Sequence, residues 1–134
     1  MIRGIIKKLI DDPTVTALVD ADSIYPVVAK QNAPRPYVTV RRAGEIAQQM
    51  KGQTSNTDRT VFNVIAYSDD YQEAVEILYA VRAVIDGIPK VGKNETIQGV
   101  TFHSVWYENT VDSYDKDDLS MVIIDTYVAR WSRL

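Results

Sequence analysis

Residues 58–87 contain Thr60-Val61-Phe62-Asn63-Val64-Ile65-Ala66-Tyr67, then Ser68-Asp69-Asp70, then Tyr71-Gln72-Glu73-Ala74-Val75-Glu76-Ile77-Leu78-Tyr79-Ala80-Val81-Arg82-Ala83-Val84-Ile85-Asp86-Gly87. The first run is rich in β-branched and aromatic residues and reads as a strand. Ser68-Asp69-Asp70 supplies helix-capping oxygens, and Glu73 stands three residues after Asp70, as in a capping box. Tyr71, Ala74, Val75, Leu78, Val81 and Ile85 recur at helical spacing, with Ile77 and Val84 as a second apolar edge that implies deeper burial. Gly87 before Ile88-Pro89 stops the helix. Burying Val75, Leu78, Val81 and Ile85 at about 1.5–3 kcal/mol each rivals the roughly 5–15 kcal/mol stability of a whole domain, so this helix must lie on the sheet. The fold class predicted is α+β: a single domain whose antiparallel or mixed β-sheet packs with one long helix and one or two short ones.

Toward the N-terminus, Ile2, Ile5, Ile6, Leu9 and Ile10 repeat at helical spacing and leave Arg3, Lys7 and Lys8 for water. Asp11-Asp12-Pro13 breaks this helix, because proline suits the first turn of a new one. A short turn through Val15, Leu18 and Val19 follows. Ile24-Tyr25-Pro26-Val27-Val28 reads as an edge strand, since proline cannot donate to a central ladder. Tyr37-Val38-Thr39-Val40-Arg41-Arg42-Ala43 is the next strand, entered through Pro34-Arg35-Pro36. Residues 44–57 are polar, with Ile46 and Met50 as the sizeable apolar exceptions. So long a polar stretch inside a domain is more often functional than accidental, and it predicts a loop or projecting hairpin arm. Past the helix, residues 90–94 predict a turn. Two long strands follow at about 96–107 and 119–131, separated by an acidic connection over residues 108–118.

The chain has 134 residues, 46% hydrophobic and 25% charged, which suits one globular domain with one core. It has no cysteine, which excludes a disulfide framework and a thiolate zinc site. A net charge of −3 argues against a basic nucleic-acid binder. The first ten residues are too short and too basic for a signal peptide or membrane span, so a soluble intracellular protein is the expectation.

Motifs that carry chemistry fail on inspection. Gly87-Ile88-Pro89-Lys90-Val91-Gly92-Lys93-Asn94 approaches the nucleotide-binding P-loop, but Asn94 replaces the hydroxyl that would hold magnesium. Pro89 also lacks a backbone donor, and the segment follows a helix rather than a strand; it reads as a turn. His103 is the sole histidine, and strand alternation places it on the face opposite Phe102 and Trp106. A triad with Ser104 and Asp112 is opposed by that alternation and by the lack of a nucleophile elbow, and a metal site lacks a second imidazole. Asp115-Lys116-Asp117-Asp118 lacks the glycine and glutamate of a calcium loop. Asp69-Asp70 has a sufficient role at the helix start. Tyr107, Tyr114 and Tyr127 sit near charge of the wrong sign for base stacking and read as core and rim residues. No catalytic residue, cofactor or metal is predicted.

One feature is unforced. Between residues 30 and 59, Lys30, Arg35, Arg41, Arg42, Lys51 and Arg59 oppose Glu45 and Asp58, so six minus two gives +4. Between residues 108 and 118, Glu108, Asp112, Asp115, Asp117 and Asp118 oppose Lys116, so one minus five gives −4. These are either two solvated faces or a self-complementary surface on which the basic arm of one copy meets the acidic segment of the next.

The order and spacing of these features resemble the tail-completion (tail-terminator) family of tailed bacteriophages and prophages. The resemblance runs from the N-terminal helix ending near Val19 through Ile24-Tyr25-Pro26, Pro34-Arg35-Pro36-Tyr37-Val38-Thr39-Val40, Gly52 and Asp58-Arg59. It is strongest at Ala66-Tyr67-Ser68 leading into Tyr71, Ala74, Val81-Arg82 and Ala83, and after Gly87 it rests on strand layout. It implies a non-enzymatic subunit of a ring, usually of six, that caps the finished tail tube, stops its polymerisation and meets the head connector. Its implied partners are further copies of itself, the tail tube protein and the head–tail connector, with DNA passing through the ring without specific binding and no membrane involved. Its implied location is the bacterial host cytoplasm during assembly, then the neck of the virion. For such a ring the expected interface residues are Arg41, Arg42, Gln48, Met50, Lys51 and Arg59 on the basic side, and Asp112, Asp115, Asp117 and Asp118 on the acidic side. The acidic set either pairs with a neighbour or lines the channel. Two other readings stay open: another neck or baseplate component, or a small-molecule enzyme with a deep polar pocket around His103 or Asp69.

Overall fold

The chain runs α1 (Ile2–Asp11), α2 (Pro13–Leu18), a 3-10 turn (Ala21–Ser23), β1 (Ile24–Pro26), β2 (Tyr37–Met50), β3 (Gln53–Ser68), α3 (Tyr71–Ile85), β4 (Glu95–Ile97), β5 (Val100–Asp115) and β6 (Ser120–Arg133). This computed structural model describes residues 1–50, 53–89, 94–117 and 119–133, and of residues 45–50 and 53–57 the backbone alone. The strands form one curled sheet in the order β1-β2-β3-β6-β5-β4, with β1 parallel to β2 and every other neighbour antiparallel. The fold is the mixed α+β class that the patterning predicts, and Pro26 sits on an edge strand.

Capping side chains start α2 and α3. Asp12 Oδ1 accepts from the backbone N–H groups of Thr14 at 2.9 Å and Val15 at 3.1 Å, with Pro13 in the first helical position. At α3, Asp70 accepts from the N–H of Gln72 at 3.4 Å. Glu73 departs from the capping-box pattern: Ser68 Oγ donates to its carboxylate at 2.6 Å, and the Asp70 N–H donates to Ser68 Oγ at 3.1 Å. This relay fastens the end of β3 to the start of α3, and it explains why no longer loop is needed between them.

The core fills the space between the helices and one sheet face. Val38 and Val40, Phe62 and Val64, Phe102, and Tyr127 and Trp131 meet Ile5, Leu9, Val15, Ile77, Leu78, Val81 and Ile85. Tyr71 is the exception in the predicted stripe: it is 44% exposed, because it opens the helix and its hydroxyl donates to Asp112 at 3.0 Å. α1 reaches both edges of the curled sheet. It packs on β1 and β2, while Lys8 pairs with Glu95 of β4 and Gly4 backs onto Phe102 of β5.

The C-terminal third differs from expectation in three ways. The predicted strand at 96–107 is two strands, because Gln98-Gly99 turns β4 back onto β5, with Gly99 at φ 78°. Residues 108–115 are strand rather than connection: Thr110, Val111, Ser113 and Tyr114 pair with β6 residues from Asp125 to Met121, with Lys116, Asp117 and Leu119 in the turn. Finally, β5 is irregular between Phe102 and Ser104 and again between Tyr107 and Asn109. The first irregularity shifts the alternation, so Val105 and Tyr107 join Phe102 on the core side while Trp106 pairs with Val128 on the opposite face. Trp106 is therefore not on the face of Phe102.

Candidate assembly interface

The polar stretch at 44–57 forms the far part of a hairpin. β2 and β3 pair from Tyr37↔Tyr67 to Met50↔Gln53. β6 pairs with β3 only from Thr57 onward, and β1 pairs with β2 only at residues 38–40. Backbone 45–50 and 53–56 thus has a single neighbouring strand; residues 45–47 edge the sheet beside 58–60, and 48–50 with 53–56 continue past it as a two-stranded ribbon, irregular near Gly44 and Gln48. Gln48 and Met50 are positions on this ribbon. Lys51 lies outside the described residues, as do Lys90 to Lys93 of the P-loop-like turn.

The basic residues do not form one patch. Arg41 lies opposite Asn63 and Arg42 opposite Phe62, so these neighbours take opposite faces of the sheet. Arg41 and Arg59 share the helix-free face with Arg130, which sequence reading passed over. Arg59 and Arg130 are directly opposite across β3 and β6, a like-charge pairing that opposes folding. Among the described residues neither makes an ion pair, although the Arg59 guanidinium lies 5.8 Å from the Trp106 ring. Alternation with Val128 and Thr126 was the signal that could have found Arg130.

The acidic residues also separate. Asp112 lies opposite Ile123 on the helix side, and its bond with Tyr71 raises that phenol's pKa. Asp115 closes the β5–β6 hairpin opposite Ser120 and accepts from the Asp117 N–H at 3.0 Å. Asp117 is exposed, and Asp118 lies outside the described residues. The β5–β6 turn and the β2–β3 ribbon project from opposite ends of the sheet, beyond Ser68↔Met121 and Thr57↔Ser132 respectively.

Between α3 and β6 lies a buried polar network that sequence reading missed. Asp125 is fully buried; Arg82 Nη2 reaches its Oδ2 at 3.2 Å, Thr110 Oγ1 donates to its Oδ1 at 2.6 Å, and the Tyr127 hydroxyl donates to Oδ2 at 3.3 Å. Burial, reinforced by the Asp125 charge, pushes the Tyr127 hydroxyl far above the usual phenol range. The network ties α3 to the sheet and leaves the Asp125 carboxylate fully engaged. His103 bonds Ser132 Oγ at 3.0 Å. Asp69, which lines an open cleft, is paired with Arg35 at 2.6 Å. Among the described residues no cluster of His, Asp or Glu could hold a metal, and no helix is long and apolar enough to cross a membrane.

The family described as tail completion protein gp17 matches residues 3–129. No curated protein matches the chain by sequence. Among solved structures, a chain of the "Virion of native gene transfer agent (GTA) particle" is similar in fold, with a TM-score of 0.76 at 16% identity, covering 98% of this chain and 94% of that one. The chain belongs to the tail completion protein gp17 family and is a structural protein of a bacteriophage tail.

Proposed function

We propose that the protein forms a ring, of six copies by resemblance to its family, that caps the tail tube, ends its polymerisation and joins it to the head connector. The observation that carries this reading is the β2–β3 ribbon. A two-stranded ribbon is marginally stable alone in water, so a partner surface completes it. The ribbon and the β5–β6 turn are different surfaces at opposite ends of the sheet, as the heterologous contacts of a ring require. Arg41, Arg42, Gln48, Met50, Lys51 and Arg59 serve contacts on the basic side, and Asp112, Asp115, Asp117 and Asp118 those on the acidic side. The subunit assembles in the host cytoplasm, remains at the virion neck, and lets DNA pass without specific binding or catalysis.

Deleting residues 48–56 and bridging the gap with two glycines tests this. The variant is expected to stay folded and to yield overlong or headless tails by electron microscopy. Tails of normal length joined to heads would refute the role of the ribbon.

A further inference from the structure

Among the seven exposed large hydrophobic residues described, four fall in two places: Val27 and Val28 in one, Tyr114 and Leu119 in the other, while Val111 is on the opposite face of β5 from Tyr114, and Tyr71 and Tyr79 belong to α3. The first is the rim of a cleft of about 700 Å³ beside the segment joining β1 to β2. Tyr37 and Tyr67, stacked with ring centroids 4.5 Å apart, wall it. Thr39 also lines it, 2% exposed, with a hydroxyl that finds no hydrogen-bond partner among the described residues. The charged lining is Lys30, Arg35 and Arg41 against Asp69, three minus one, so +2. The second place is the end of the β5–β6 hairpin, which also carries Asp115 and Asp117. Val27 and Leu119 hold φ angles of 67° and 54°, a left-handed conformation that is strained for such residues and that concentrates at functional sites.

We infer that the cleft receives the end of the β5–β6 hairpin of a second copy, with carboxylates against Lys30 and Arg41 and Leu119 against Val27 and Val28. This rests on the ring reading and names the contact that closes it. Within one chain the two surfaces do not meet: β5 is three strands from β2, about 14 Å at the usual strand spacing. Among the described residues none from 111 to 119 lines the cleft. Both surfaces sit at the same end of the strands, where Tyr37 pairs with Tyr67 and Asp115 with Ser120. A copy rotated alongside brings these unlike surfaces together, the heterologous geometry from which rings close. Opposite charge selects the pairing, and apolar contact holds it.

Two variants reverse the charges separately: Lys30→Glu with Arg41→Glu, and Asp115→Lys with Asp117→Lys. Each alone is expected to associate about tenfold or more weakly by sedimentation, because like charges then face each other. An equimolar mixture is expected to recover association, since each variant's unchanged surface complements the other's reversed one. A second readout uses the absence of native cysteine. Val28→Cys and Leu119→Cys chains, mixed and oxidised, are expected to form the mixed disulfide in preference to either homodimer. Charge variants that associate like wild type, without a mixed crosslink, overturn the inference and leave the ring reading standing. Wild-type protein that forms no ring, alone or on tail tubes, removes both. Loss of DNA retention with unchanged association assigns the cleft to a polyanion and also overturns the inference.

Discussion

Arg82 of α3 reaches Asp125 of β6 with 3.2 Å between Nη2 and Oδ2, while its guanidinium carbon lies 4.0 Å from the centre of the Tyr107 ring. One side chain thus bridges helix and sheet by both charge and stacking. Arg82→Ala strands a fully buried carboxylate, and a buried charge deprived of its partner costs about 3–5 kcal/mol. The lower end is expected, because Arg82 is 27% exposed and partly screened. Urea unfolding measures it, and a loss below half a kcal/mol would show that the pair contributes nothing net.

The hydroxyl of Tyr127 gives a pH dependence of definite sign. Its folded-state pKa is raised from 10.0, first by burial and then by Asp125. Above about pH 10 the unfolded chain releases this proton while the folded chain keeps it, so stability present below that pH is lost as pH rises. Unfolding free energies measured from pH 8 to 11.5 are expected to fall above pH 10, and Tyr127→Phe is expected to flatten the fall. An equally steep loss in the variant would assign it to other groups.

Leu78 is 2% exposed beneath α3. Leu78→Ala is expected to cost about 2–5 kcal/mol, the lost burial plus the cavity left behind. A change under half a kcal/mol in denaturant unfolding would mean that α3 buries a different face.

Gly4 sets two effects against each other. Alanine at an exposed helix position would stabilise by about 1 kcal/mol over glycine. A Cβ at position 4, however, would lie 3.1 Å from the Phe102 ring and 3.3 Å from the Ile97 carbonyl oxygen. Overpacking of this kind costs about 1–3 kcal/mol, so Gly4→Ala is expected to lower the thermal midpoint. A raised midpoint would show that α1 shifts freely away from β4 and β5.

The legible part of the fold was the part governed by local periodicity. The strand of Val61 to Tyr67, the capped helix after it and the edge strand at Pro26 all follow from spacing and breakers that act within a few residues. Errors entered where a single residue changed the register. The irregularity at His103 reverses the facing of Trp106, and no local composition announces it. Residues 108–115 looked like a loop because their carboxylates are polar, yet the β-prone residues among them pair with β6. The buried network had one faint signal, the lone acid Asp125 inside the apolar run from Met121 to Val128. Its partner, Arg82, is distant in sequence, so only the fold joins them. Of the expected interface residues, sequence identified charge but not facing: Arg41 and Arg42 are adjacent in the chain and on opposite sides of the sheet.

The most direct test of tail completion is to add purified protein to tail tubes assembled in vitro, supply fresh tube subunits, and record tube length and end structure by electron microscopy. The expected result is a ring at one end of each tube and arrested elongation at that end. Tubes that keep elongating with bare ends, at protein concentrations well above that of the tubes, would contradict it.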